Sequence, residues 1–103
     1  MANNVIRVHS GNGVAVGTSV NVKKSSFSRV FQCAVAGTGA VTANVNIEGS
    51  VNGVDWKVLN TFNLTGTTRA SNTFSSTDPY PFLRGNVTAI TGTGAVVTLD
   101  VAV

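Results

Sequence analysis

The stretch "IEGSVNGVDWKVL", Ile47 to Leu59, decides the fold, because it joins a clean alternation to a turn signal and the chain's single Trp. Upstream of it, the odd positions from Val41 to Val51 read Val, Ala, Val, Ile, Gly, Val. The even positions between them read Thr, Asn, Asn, Glu, Ser. A period of two describes a strand with one face buried and one face wet. Asn52-Gly53 then supplies the strongest short hairpin signal, since a two-residue type I′ turn needs positive φ at both central positions. Such a turn sets Val51 opposite Val54, Gly49 opposite Trp56 and Ile47 opposite Val58. On the outer face Ser50 meets Asp55 and Glu48 meets Lys57. Apolar groups face apolar groups and opposite charges face each other, so every pair is favourable. Trp56 is expected as a core anchor over Gly49 rather than as an exposed sugar platform.

A second device occurs twice. "AVAGTGAVTANVNI" (Ala34 to Ile47) and "TAITGTGAVVTLDV" (Thr88 to Val101) each place Gly-Thr-Gly between two strand patterns. A three-residue hairpin loop wants a left-handed residue at its end, and Gly39 and Gly94 suit that role. With Gly37 and Gly39 bounding the first loop, Val35 pairs with Val41, Cys33 with Ala43 and Phe31 with Val45. Cys33 is therefore expected to be buried and inert. The second copy, with its loop between Gly92 and Gly94, carries one extra residue beyond the loop, Val97. It restores the inward phase for Leu99, Val101 and Val103, and a bulge is expected there. These glycines do not cradle phosphate, which requires a following helix and usually a Lys.

Around these anchors the chain reads as about eight or nine short strands separated by turns, an all-β antiparallel two-sheet sandwich or jelly roll. Val, Thr, Asn, Ala, Gly and Ser dominate, and only 11% of residues are charged. At 103 residues the chain makes one domain. Residues 13–103 are read as that domain and residues 1–12 as a polar segment, an arm or a first strand. The first residues contain no charged stretch followed by an apolar run, so a signal peptide is not expected.

The charge balance is +3, with the basic residues scattered, well short of a nucleic-acid footprint. Lys23-Lys24, the one clustered pair, reads as a solvated strand end. Catalysis by a nucleophile needs a base and an orienting group beside it. The chain has one His and one Cys. His9 is expected to face solvent. Glu48, Asp55, Asp78 and Asp100 are scattered, and a structural zinc would require about four Cys or His ligands. An enzyme is not expected, nor are a cofactor, a metal or a membrane partner.

Two features are left over. "DPYPFLRG" sets Tyr80, Phe82 and Arg84 beside Pro79 and Pro81 at a sheet margin. Aromatic residues and Arg are enriched at interface centres, although these same side chains could simply close the end of the core. The polar N-terminus, with Asn3 and Asn4, is the second candidate contact.

The half from Ile47 to Val103, carried by "IEGSVNGVDWKVL" and "YPFLRGNVTAITGTGAVV", resembles small tailed-bacteriophage virion proteins of the head-decoration (cement) kind. The resemblance implies a non-enzymatic protein of the outer capsid surface, made in the bacterial host cytoplasm. Its partners would be the major capsid protein and copies of itself, often as a trimer. Two other functions fit the same residues: a carbohydrate-binding β-sandwich using Trp56 or Tyr80 as a stacking platform, and a tail or head-to-tail adaptor protein.

Overall fold

Alternating β-branched and polar residues build strands wherever the computed structural model describes the chain, which is residues 5–22, 29–78 and 80–102. These residues form β1 (Val5–Gly11), β2 (Ala15–Val16), β3 (Val20–Asn21), β4 (Arg29–Ser50), β5 (Lys57–Gly66), β6 (Arg69–Ser76) and β7 (Phe82–Ala102). The protein is all-β, and every strand belongs to one seven-stranded antiparallel sheet. Its central order is β1-β7-β4-β5, with β6 also paired to β4 and with β2 and β3 also paired to β7. Asn3, Asn4, Lys23, Lys24, Pro79 and Val103 lie outside the described residues.

The two central strands are 22 and 21 residues long. A straight strand of that length would reach roughly 70 Å at about 3.3 Å per residue. The longest dimension of the molecule is 39 Å, so both strands bend. The ladder between them is irregular where the two Gly-Thr-Gly segments lie, with shifts between Ala36 and Thr38 and between Thr38 and Thr42. Gly39 (φ 85°), Gly92 (φ 122°) and Gly94 (φ 64°) carry the positive φ values of the bends. Gly37 serves another purpose. A Cβ there would stand 2.9 Å from the Thr93 carbonyl oxygen and 3.1 Å from the Ala95 Cα, so glycine permits the close strand approach.

Neither Gly-Thr-Gly closes the hairpin that the sequence predicts. Val35 pairs with Val97 and Ala70, and Cys33 with Leu99 and Asn72, in place of Val41 and Ala43. The physical reason is that β4 and β7 carry the same bend at the same level. They therefore pair with each other on both sides of the bend, from Val30–Ala102 to Ser50–Phe82, with the ladder irregular only around the bend and at Thr88. The bulge expected at Val97 is also displaced, since Val97 sits in regular register. Thr88 is the extra residue, between the pairs Asn44–Ala89 and Val45–Val87, and its hydroxyl donates to the Asn44 carbonyl at 3.2 Å.

The core is the odd-numbered face of β4 (Phe31, Cys33, Val35, Val41, Ala43, Val45, Ile47) closed by Phe62, Leu64, Leu83, Val87, Val97, Leu99 and Val101. Each such large apolar side chain contributes roughly 1.5–3 kcal/mol on full burial. Burial pushes the Cys33 thiol up to about 12, as expected of an inert core cysteine.

His9 departs from expectation. A bulge between Arg7 and His9 interrupts the β1 alternation and turns Val8 and His9 inward in succession. His9 is 7% exposed, and its ring lies beside Gly17 and Gly85, where side chains would collide with it. Gly85 also lies against Leu99, a residue further along the same strand, with 3.2 Å between a Cβ placed on Gly85 and the Leu99 side chain.

Candidate functional site

The loop Val51–Trp56 is where sequence and structure differ most. Asn52-Gly53 does not make a two-residue turn. The Ser50 hydroxyl instead accepts from the backbone N–H groups of Asn52 (3.2 Å) and Gly53 (2.9 Å). Asn52 Oδ1 accepts from those of Val54 (2.8 Å) and Asp55 (2.9 Å). Short polar side chains here offer the backbone an alternative to the hairpin ladder, and that alternative wins. Gly53, at φ 77°, keeps the left-handed conformation that the turn reading assigned to it.

The wider loop shifts the register. Gly49 pairs with Lys57 and Glu48 with Val58, and after a further bulge Ile47 meets Asn60. A shift of one residue exchanges the faces of a strand. Val51 and Val54, expected inward, are 73% and 75% exposed. Trp56 is half-buried and stands outside the core, so it is not the expected core anchor. The aromatic ring over Gly49 is that of Tyr80, whose Cγ would lie 2.9 Å from a Cβ at that glycine.

Glu48 does not pair with Lys57. The Arg84 Nε donates to Glu48 Oε1 at 2.6 Å, and Asn86 Nδ2 donates to Oε2 at 3.1 Å. Held this way, the Arg84 guanidinium lies 4.2 Å from the centre of a Trp56 ring, a cation–π contact. Arg29 supports the site from the other side. It is 1% exposed and donates from Nη1 to the Tyr80 carbonyl at 2.5 Å. Burial lowers its guanidinium from the ordinary value. Phe82 covers Gly53, with its ring atoms 3.8–3.9 Å from a Cβ placed there.

Trp56, Tyr80, Asn52, Asp55 and Lys57 line a cleft of about 300 Å³. The structure thus brings Tyr80, Arg84 and Trp56 together and sets Phe82 behind them. Sequence reasoning missed Glu48 and Arg29 as supports. Glu48 had a plausible local partner in Lys57, and its actual partner lies on a strand far along the chain. Arg29 carried no motif at all.

Two sheet faces are wet. On one, cross-strand rows read Thr65–Thr42–Thr91, Asn63–Asn44–Ala89 and Thr61–Asn46–Asn86. The Thr42 and Thr91 hydroxyls bond to each other, and Thr61 donates to Asn46 Oδ1 at 2.8 Å. On the other, the rows read Val5–Ala102–Val30–Ser75 and Arg7–Asp100–Gln32–Thr73. Arg7 and Asp100 form an ion pair, and Val5, Val30 and Val96 are exposed beside it.

His9 borders a second cleft with Arg7 and Thr18, separate from the Trp56 cleft. Among the described residues no three His, Cys, Asp or Glu side chains are grouped to hold a metal ion. Compared with protein-family models, curated proteins and solved structures, the chain matches none.

Proposed function

We propose that this protein is a non-enzymatic structural component of a bacteriophage virion, a head-decoration (cement) protein that binds the outer capsid surface as a homo-oligomer. The observation that carries this reading is the charge-poor outer face of Thr and Asn rows, whose one charged pair among the described residues, Glu48 with Arg84, is mutually neutralised, backed by a second face where valines are exposed beside the Arg7–Asp100 pair. Amides and hydroxyls cost less to desolvate than charges, and interface centres are depleted in charge. Many identical weak contacts on a shell sum through avidity, so such a protein needs area rather than reactive groups.

The same reading takes the bent sheet as a two-sheet sandwich or jelly roll, with the Gly-Thr-Gly segments as its corners. The contact of Gly85 with Leu99 and His9 supports this, because a strand touches itself only where it folds back. Sedimentation of the purified chain and its binding to emptied capsid shells test the function. A trimer, or saturable binding to shells, is expected. A monomer without affinity for any particle overturns it.

A further inference from the structure

We propose that the Trp56–Tyr80 cleft is a binding site for a neutral saccharide, a function independent of assembly on a shell. Charged groups are scarce in this chain, and among the described residues the buried ones are Arg29 and Glu48. Both bond to residues that border or support this cleft. Glu48 holds Arg84 over Trp56, and Arg29 holds the Tyr80 backbone. Gly49 completes the arrangement, since its missing Cβ makes room for the Tyr80 ring. A buried ion is costly to accommodate, and a core would be closed as well by apolar side chains. Two aromatic residues fixed by buried ions and opening onto one cleft have the form of a preorganised site.

The chemistry of the lining selects the ligand. Half-buried aromatic rings offer apolar surface to the C–H face of a pyranose. The Asp55 carboxylate stands at the rim as an acceptor for hydroxyl groups, and it is oriented by Asn52 Nδ2, which donates to its Oδ2 at 3.0 Å. A quaternary ammonium also seeks aromatic rings, but here the Arg84 guanidinium already occupies one face of the indole and Lys57 borders the cleft. An anion is opposed by Asp55 and finds Arg84 neutralised by Glu48. Lys57 and Asp55 balance each other, and a neutral polyhydroxylated ligand remains. The cleft, about 300 Å³, falls at the small end of ligand pockets, matching one or two sugar rings at a time.

Trp56 is the chain's one Trp, so its emission reports on this cleft alone. The full chain is titrated with maltohexaose, chitohexaose, choline and inorganic phosphate, with calorimetry as a second readout. At least one hexasaccharide is expected to shift the emission saturably, and choline and phosphate are not. Asp55→Ala and Tyr80→Ala are each expected to weaken the calorimetric affinity about tenfold or more. Trp56→Phe is expected to keep measurable binding and Trp56→Ala to lose it. The proposal is overturned if neither hexasaccharide saturates up to roughly 10 mM. It is also overturned if choline or phosphate binds as well as the sugars, or if Asp55→Ala binds as the parent does with its thermal midpoint unchanged. A glycan-binding monomer without affinity for shells would support this site and refute the assembly reading, so the two fail separately.

Discussion

Replacing Glu48 by Gln tests the support beneath the cleft. The Glu48 side chain is 8% exposed and accepts from Arg84 at 2.6 Å and from Asn86 at 3.1 Å. Gln keeps the shape but turns one acceptor oxygen into an NH₂ donor, so a donor then faces either Arg84 or Asn86. Breaking a buried ion pair costs about 3–5 kcal/mol when the stranded charge stays buried. Arg84 is 25% exposed and regains part of its hydration, which brings the loss down to about 2 kcal/mol. For a domain of this size that lowers Tm by roughly 8–16 °C. Urea unfolding followed by Trp56 emission measures the loss. A double-mutant cycle with Arg84→Met should return a coupling of about 1–2 kcal/mol. The native emission of the Glu48→Gln variant should also shift to the red as the indole loses its clamp. A loss below about 0.5 kcal/mol, the size of an ordinary surface change, would refute the reasoning, as would a coupling of zero.

Other perturbations test other parts. Burial lowers the His9 pKa below its ordinary 6.5, and folding therefore favours the neutral ring. Stability should be complete above pH 6.5 and decline as pH falls below it, since the unfolded chain then binds the extra proton; urea midpoints from pH 8 to pH 5 should show the decline, and His9→Phe should flatten it. Cys33, with its thiol pushed up to about 12 inside the core, should resist a disulfide reagent in the native protein and react at once in urea. Gly39→Ala, at φ 85° with open space around it, should cost about 1–2 kcal/mol. Gly37→Ala should cost more, about 3 kcal/mol by denaturant midpoint, because its Cβ meets the backbone of β7. The reverse order would mean that these glycines close a simple loop.

What was legible in the sequence was local. The alternation from Val41 to Ile47 identifies the inward face, and the same phase buries Phe31, Cys33 and Val35. Positive φ at Gly39, Gly53 and Gly94 follows from the turn chemistry around them. Pairing was not legible, because both Gly-Thr-Gly segments satisfy a local hairpin as well as they satisfy two bent strands running together. The choice is made by contacts such as Val35–Val97, which join residues far apart in the chain. The position of Trp56 was hidden for a related reason. Ser50 and Asn52 can cap either a tight turn or a wide loop, and in the wide loop Arg84 meets both Glu48 and the indole, a contact between residues far apart in the chain. His9 turns inward through a bulge, and the seven residues of β1 are too few and too weakly alternating for the phase break to stand out in the sequence.

The continuity of β4 and β7 has a mechanical consequence. Each strand contributes hydrogen bonds on both sides of its bend, so no segment can peel away without tearing a ladder that the rest of the molecule also uses. Hydrogen exchange in the central strands should therefore report one common opening free energy rather than a soft half and a hard half. Load applied at one end of such a molecule is passed along the covalent backbone to the other.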